Sequence, residues 1–199
     1  MFLRMPRVKQ FSEEEALQKA MELFWKQGYH ATSMQDLVSH LKINRASLYN
    51  SFPGGKEELF SKAFNLYRSS NRSAVMAFLN SQPSVKEGLR RLFGFAVDES
   101  VRDCDAKGCF VVNTTTELVP GDAAIAALLL QNKQDFEGIF LNFLQKGIET
   151  SEISPEKDLK AIAGLLFTLN NGLRVVAKVQ ADKESLMRVV DTALSVLEG

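Results

Sequence analysis

Apolar side chains recur at every third or fourth position along nearly the whole chain, and this spacing constrains the fold more than any other feature. It predicts amphipathic helices rather than strands, whose two-residue alternation is scarce here. The first predicted helix begins after Ser12, which forms a capping-box pair with Glu15, and it ends at Gly28. Its apolar stripe consists of Ala16, Leu17, Ala20, Met21 and Phe24.

Cap and break residues divide the remaining chain into eight further predicted helices. Their predicted starts are Thr32 or Ser33, Asn44, Lys56, Ser84, Phe110, Asp122, Ser154 and Asp182. The helix from Ser154 has Pro155 at its first position and is expected to extend to about Gln180. The segment Phe110–Leu118 is rich in residues typical of strands, but its helical surroundings favour a short helix. We therefore expect an all-α protein of about nine helices.

The composition is typical of a soluble globular protein. Of its 199 residues, 45% are hydrophobic and 24% are charged. No apolar run approaches the length of a membrane span, and residues 1–10 lack the apolar core of a signal peptide. We expect a cytoplasmic protein with no membrane partner.

Residues able to support metal, disulfide or catalytic chemistry are few. Cys104 and Cys109 are too few for a disulfide framework and are expected as free thiols. His30 and His40 lie far from them in the sequence, so neither a metal nor a cofactor is expected. The chain has no Gly-rich phosphate loop, no GxSxG motif and no HExxH motif, so an enzyme is not expected.

Residues 32–60, TSMQDLVSHLKINRASLYNSFPGGKEELF, contain the most informative pattern. Two short predicted helices joined by Lys42 and Ile43 have the length and apolar spacing of a helix-turn-helix. The apolar positions that would hold them together are Leu37, Val38, Leu41, Ile43, Leu48 and Phe52. The outward positions of the second helix, which suit phosphates and base edges, are Asn44, Arg45, Ser47, Tyr49 and Asn50. The alternative is a three-helix core with a polar outer face and no DNA contact.

The distribution of charge is compatible with DNA contact through this end of the chain. Residues 1–56 hold eight Lys or Arg and five Asp or Glu, which gives a net charge of +3. Because the whole chain has a formal charge of zero, the remainder carries −3. A mildly basic head on a mildly acidic body fits a protein that binds nucleic acid through the head only.

In this region the sequence resembles the TetR family of bacterial repressors. The resemblance covers about the first third of the chain, and the length and helicity of the rest agree with it. It rests on Gly28-Tyr29, on Ala31-Thr32-Ser33, on Ala46-Ser47-Leu48-Tyr49 with Phe52, and on Lys56-Glu57-Glu58-Leu59.

Three details depart from the usual pattern of that family. Lys42 stands where the family usually has glycine, Val38 stands where it has a small residue, and the interval from Phe52 to Lys56 is one residue longer. Lys42 is therefore expected either to adopt a left-handed conformation, at a cost of about 1 kcal/mol, or to lie in a remodelled turn.

The resemblance implies that residues 44–51 form the recognition helix and that Tyr49 and Lys56 contact the DNA backbone. It also implies a DNA-binding domain over residues 1–55 and a ligand-sensing and dimerisation domain over residues 56–199. The full set of expected DNA-binding residues is Thr32, Ser33, Lys42, Asn44, Arg45, Ala46, Ser47, Tyr49, Asn50 and Lys56.

The resemblance further implies a homodimer, formed by the last two helices of each subunit, that reads a palindromic double-stranded operator. A small-molecule effector is expected to bind among the middle helices, where polar groups interrupt apolar stripes. The candidate polar groups are Asn113, Glu117, Asn170, Asn171 and Arg174, and the candidate walls are Phe110, Phe136, Phe140 and Phe167. Each of these side chains has an ordinary structural role as its alternative.

The sequence thus predicts a DNA-binding transcriptional regulator, a repressor that an effector releases from its operator. A first alternative keeps the DNA-binding head but senses oxidants through Cys104 and Cys109. A second alternative is a helical interaction protein that does not bind DNA.

Overall fold

The computed structural model describes residues 12–198, and these residues form nine α-helices, one 3-10 turn and no strand. The expected net charge of the head and the lack of a signal peptide depend in part on residues 1–11, which lie outside the described residues. The prediction of an all-α protein is confirmed, including a helix rather than a strand at α6. The helices are α1 Glu13–Gln27, α2 Met34–Leu41, α3 Arg45–Ser51, α4 Gly55–Asn80, α5 Val85–Arg102, α6 Phe110–Leu118, α7 Ala123–Glu149, α8 Leu159–Val176 and α9 Lys183–Leu194.

Side-chain caps begin most of these helices at the predicted residues. The predicted caps that accept a backbone N–H bond are Ser33, Asn44, Ser84, Asp122 and Asp182. The predicted capping box at Ser12 is wrong, because the Ser12 side chain makes no cap hydrogen bond. Glu15 instead accepts a hydrogen bond of 2.6 Å from Lys19 one turn later, and this bond lowers the pKa of Glu15.

Helix α8 begins later than its sequence signal predicts. Residues 154–157 form a turn, and the helix starts at Leu159 with Asp158 as its cap. The Asp158 carboxylate accepts hydrogen bonds from the N–H groups of Lys160 and Ala161 at 3.1 and 3.0 Å. Asp158 therefore caps α8 in place of Ser154, the predicted cap. The helix also ends earlier than expected, at Val176.

The chain divides into two compact units, and helix α4 belongs to both. The first unit ends at Tyr67 and contains α1, α2, α3 and the first half of α4. Aromatic rings hold α4 to α1 within this unit, since Phe24 meets Phe60 edge-on at 5.2 Å and Trp25 meets Tyr67 at 5.1 Å. The apolar residues buried in the helix-turn-helix itself are Leu37, Leu41, Leu48 and Phe52.

The second unit begins at Arg68 and contains the rest of α4 together with α5 to α9. Its core lies between α5, α7, α8 and α9, and the rings of Phe93 and Phe140 stack there at 6.3 Å. In the part of the chain that the structure describes, no helix is long and apolar enough to cross a bilayer.

A carboxylate just beyond the end of α7 caps the start of α5 inside the second unit. Glu152 accepts hydrogen bonds of 2.7 Å from the Ser84 hydroxyl and 2.9 Å from the Val85 N–H. Burial acts to raise the pKa of Glu152, but the hydrogen bonds from Ser84, Val85, Lys86 and Thr150 outweigh it and hold that pKa below 4.5. The bonds favour the ionised form, so they stabilise the fold only while Glu152 is charged.

Replacing Glu152 with glutamine is expected to lower the free energy of unfolding by about 1 kcal/mol near neutral pH, because the charged acceptor is lost. A lowered pKa means that this stabilisation is present above pH 4.5 and disappears as the folded protein takes up the proton below it. Urea unfolding at several pH values should therefore show the gap between wild type and Glu152→Gln closing in acid. Glu149→Gln, an exposed position on the same helix end, is the control. A gap that stays constant down to about pH 3 would contradict the assignment.

Candidate nucleic-acid interface and effector cleft

The turn between α2 and α3 is a Schellman motif with lysine at its left-handed position. The Ile43 N–H donates to the Val38 carbonyl and the Lys42 N–H donates to the Ser39 carbonyl, each at 3.3 Å. Lys42 has φ 55° and ψ 39°, so the left-handed alternative is correct and the turn is not remodelled. The side chain of Lys42 is exposed, which places its charge at the entry to α3.

Substituting Lys42 with glycine is expected to raise the free energy of unfolding by about 0.5–1 kcal/mol, since glycine has no Cβ to strain a left-handed residue. Lys42→Ala is the matched variant, because it removes the same charge and keeps the strain. Chemical denaturation of the two variants measures the difference. Equal stability of the glycine and alanine variants would show that the left-handed turn carries no strain.

Side-chain caps fix the ends of both short helices. Ser33 accepts from the Asp36 N–H at 3.1 Å while Asp36 accepts from the Ser33 N–H at 2.8 Å, which completes a capping box for α2. Hydrogen bonds from the Ser33 hydroxyl and backbone lower the pKa of Asp36. Asn44 accepts from the Ser47 N–H at 2.8 Å at the start of α3. The helix-turn-helix is therefore held by local hydrogen bonds on both sides of the turn.

Helix α3 buries one side chain, leaves Ser47 and Ser51 half-buried and exposes the others. Leu48 is buried, and Phe52 just beyond the helix is buried with it. The exposed positions are Asn44, Arg45, Ala46, Tyr49 and Asn50. The Arg45 guanidinium lies 5.9 Å from the centroid of the Tyr49 ring, so the two side chains share one outward face. This face offers a cation, an aromatic hydroxyl and amides, the groups that contact phosphates and base edges.

The longer interval after Phe52 forms a tight turn that requires glycine. The Gly55 N–H donates to the Phe52 carbonyl at 2.8 Å, and Gly55 has φ 64°. A Cβ at Gly55 would lie 3.1 Å from the Tyr49 ring, so this glycine lets the turn approach α3 closely. Lys56 follows in the first turn of α4, and its amino group lies 4.3 Å from the centroid of the Tyr29 ring.

Three expected DNA-binding residues make side-chain hydrogen bonds within the protein, and the first of them is Asn44, which caps α3. Thr32 is fully buried and its hydroxyl donates to the Gly28 carbonyl at 2.6 Å, so it does not face solvent. The Ser33 hydroxyl bonds to Asp36, and it is exposed. The exposed residues Lys42, Arg45, Ala46, Tyr49 and Asn50 keep the surface position that a DNA contact needs.

A cleft of about 290 Å³ lies in the second unit between α4, α5, α7 and α8. Its apolar walls are Val75, Leu92, Phe95, Ala96, Phe136 and Phe140, and its polar groups are Asn71, Glu99, Asn170 and Arg174. Arg174 pairs with Glu99 at 3.0 Å. A mostly apolar cleft with a few convergent polar groups is the usual form of a small-molecule site.

The structure brings together four of the nine expected ligand residues, Phe136, Phe140, Asn170 and Arg174. Asn113 has another role, since its amide donates to the Lys107 carbonyl at 2.8 Å and accepts from Lys178 at 2.9 Å. Phe110 is buried in the interior, and the Phe167 ring packs 6.4 Å from that of Phe136. Glu117 on α6 and Asn171 on α8 do not line the cleft.

Six lining residues were not predicted, and all six lie on α4 and α5. Asn71 and Val75 belong to α4, and the others belong to α5. The signal that was available is Glu99 on α5, a carboxylate next to an apolar stripe.

The cysteines lie outside the cleft: Cys104 is exposed, Cys109 is buried, and both are free thiols. Among residues 12–198 no group of three His, Cys, Asp or Glu is placed to hold a metal ion.

A capped helix-turn-helix with a polar outer face, followed by a helical unit with a cleft, defines a two-unit DNA-binding regulator. Sequence comparison agrees with this class over most of the chain. A profile described as bacterial regulatory proteins of the tetR family matches residues 16–63, and one described as the tetracyclin repressor-like C-terminal domain matches residues 86–193.

Relatives extend over nearly the full length. The chain is 37% identical over 98% of its length to the uncharacterized HTH-type transcriptional regulator YezE of Bacillus subtilis (strain 168), all of which it covers. It is also 32% identical to the HTH-type transcriptional repressor ComR of Escherichia coli (strain K12), in an alignment that covers 94% of this chain and 90% of ComR. Its fold matches a cysteine mutant of the TetR family regulator CifR in complex with 26 bp operator DNA, with a TM-score of 0.84, 30% identity, and 95% and 98% of the two chains covered.

The chain belongs to the TetR family of bacterial regulatory proteins and is a DNA-binding transcriptional regulator. The family, fold and general function expected from the sequence are confirmed.

Proposed function

We propose that the protein is a homodimeric repressor that binds a palindromic operator through α3 and leaves it when a small-molecule effector occupies the α4–α5–α7–α8 cleft. The observation that carries the proposal is the outward face of α3, where Arg45, Tyr49 and Asn50 are exposed beside a rigidly capped turn. Arginine pairs with guanine and asparagine with adenine in the major groove. The relative CifR is bound to operator DNA, and the relative ComR is a repressor. A protein that binds the chromosome acts in the cytoplasm, where we place this chain.

Dimer formation is supported by apolar side chains left exposed on α8, beyond its end, and on α9. We call this set, Leu165, Val175, Val176, Val179 and Val189, the α8–α9 apolar surface. Singly scattered apolar side chains are normal on a protein surface, but five on neighbouring helices indicate an interaction surface. A second copy of the chain would cover them. Two α3 helices in a dimer, about 34–36 Å apart, would read successive major grooves on one face of the operator.

The proposed release mechanism uses helix α4, which contacts α3 near its start and lines the cleft further along. Near its start, Gly55 lies against Tyr49 of α3. Further along, Asn71 and Val75 line the cleft. Arg68 donates to Asn132 at 3.1 Å and Arg72 pairs with Asp135 at 3.0 Å, so α7 sets the position of this half of α4. An effector that moves α4 would change the placement of α3, and a coupling of about 1–3 kcal/mol is enough for a usable switch.

Charging the apolar surface tests the dimer. Val176→Asp is expected to shift the protein to monomers at micromolar concentration and to weaken operator binding by more than about tenfold, because a buried carboxylate without a partner is costly. Met76→Asp, which charges an equally exposed apolar position on α4, is the control. Sedimentation velocity and gel shift measure the two effects. A dimeric Val176→Asp protein would place the interface elsewhere.

Operator binding is tested by selecting bound fragments from the source genome and footprinting them with the full chain. A protected palindrome with two half-sites about one helical turn apart supports the proposal. A protein that retains no fragment at moderate salt, or whose binding does not weaken as salt rises, would overturn it.

A further inference from the structure

We propose that the effector is a small apolar carboxylate whose anionic group replaces Glu99 as the partner of Arg174. This inference rests on the proposed function, since it takes the cleft to be the effector site. It names the chemical class of the ligand and the residue that selects it.

The two members of the ion pair are buried to very different extents. The Arg174 side chain is 14% exposed and lies in the cleft, whereas the Glu99 side chain is 64% exposed. A cation that is largely shielded from water is stabilised by an anion beside it, because removing that anion leaves the charge less well compensated. An exposed carboxylate returns to water at little cost. Glu99 is therefore the partner that a ligand can replace, and Arg174 is the one that stays.

The geometry of arginine favours a carboxylate as the replacement. The guanidinium is a planar fork whose two parallel N–H groups match the two oxygens of a carboxylate. Asn170 lies one helical turn before Arg174 on α8, and Asn71 lines the same cleft from α4. Their amides can donate further hydrogen bonds to the same anionic group. A ligand with one negative charge also keeps the charge of the cleft balanced when Glu99 leaves.

The rest of the cleft requires an apolar and rather small ligand body. The Phe136 and Phe140 rings and the aliphatic side chains of Val75 and Leu92 form its walls. The volume of about 290 Å³ lies just below the ~300–1,000 Å³ found for small-molecule sites, so only a small ligand fits. An aryl or medium-chain carboxylate satisfies both conditions. A cationic ligand would instead be repelled by the fixed charge of Arg174, and a neutral one would gain a hydrogen bond but no charge compensation from it.

The test compares carboxylates with neutral amides of the same shape. Isothermal titration of the full chain uses phenylacetate against phenylacetamide and octanoate against octanamide. At least one carboxylate is expected to bind about tenfold or more tightly than its amide, because only the carboxylate can replace Glu99. The same carboxylate is expected to lower operator affinity in a gel shift.

Two variants assign the selectivity to the ion pair. Arg174→Gln is expected to abolish the preference for the carboxylate over its amide. Glu99→Gln is expected to tighten carboxylate binding several-fold, because it removes the competing anion from an exposed position that the fold tolerates. Arg90 lies on α5 like Glu99, but it forms a half-exposed ion pair with Asp191 of α9, outside the cleft. Arg90→Gln breaks this pair and is expected to leave carboxylate binding unchanged.

Several outcomes would overturn the inference. These are equal binding of amide and carboxylate, no binding of either carboxylate at 10 mM, weaker binding by Glu99→Gln, or carboxylate binding that leaves operator affinity unchanged. The proposed repressor function fails separately, if the ligand-free protein binds no genomic fragment. A ligand-free protein that holds a palindrome but ignores carboxylates would remain a repressor with a different class of effector.

Discussion

Arg45→Glu is expected to lower operator affinity by more than about 100-fold at physiological salt. Arg45 is exposed in the first turn of α3, and its guanidinium lies on the same outward face as Tyr49. Losing a bidentate contact to a base or phosphate costs about 1–3 kcal/mol, and a carboxylate in its place adds repulsion from the phosphates. Fluorescence anisotropy on the footprinted operator, repeated over a range of salt, measures the loss.

The salt dependence shows which part of the contact is lost. If Arg45 neutralises a phosphate, the slope of log affinity against log salt becomes shallower by about one unit. Arg102→Glu, an equal charge reversal at the exposed end of α5 in the second unit, is the control for a change in net charge. A similar loss in both variants would show that overall charge, rather than the face of α3, governs binding.

Phe93→Ala is expected to lower the free energy of unfolding by about 3–5 kcal/mol, the cost typical of removing a fully buried aromatic ring. Phe93 is 0% exposed and stacks on Phe140 in the core of the second unit. Removing its ring loses the burial of the phenyl group and leaves a cavity that tightly packed neighbours cannot fill. Because folded proteins are stable by only about 5–15 kcal/mol, the variant should unfold at much lower urea concentrations.

The matched control for Phe93 lies two positions away on the same helix. Phe95 is 54% exposed and contacts the Phe78 ring edge-on at 5.3 Å. Phe95→Ala is therefore expected to cost about 1 kcal/mol or less, mainly the value of one aromatic pair. Urea unfolding followed by circular dichroism compares the two variants. Equal losses would mean that the second unit is not packed around Phe93 as the structure describes.

Local signals predicted the helices and the helix-turn-helix well. Ser33, Asn44 and Asp182 act as caps because a side-chain oxygen needs only an N–H group two or three residues later. The failures are informative for the same reason. Glu15 bonds to Lys19 and not to the start of its helix, and Asp158 competes successfully with Ser154 as the cap of α8. Where two local partners compete, the sequence pattern alone does not rank them.

The lining of the cleft was predicted only in part because it comes from four helices. Phe136 and Phe140 on α7, and Asn170 and Arg174 on α8, interrupt or follow apolar stripes and so were visible in the sequence. Glu99 also lies next to an apolar stripe, but only the tertiary structure pairs it with Arg174, which is 75 residues away in the chain, and so places it in the cleft. Thr32 shows the opposite error, since only the packed structure reveals that its hydroxyl turns inward to Gly28.

Apolar periodicity and capping residues by themselves determined that this chain is all-helical and that α3 has an exposed polar face, since both follow from hydrogen bonds and faces within a few residues. Only the tertiary structure decided which polar side chains share the cleft and how deeply each is buried. The exchange proposed for Arg174 and Glu99 follows from that difference in burial, because the cost of separating an ion pair depends on how far each charge lies from water.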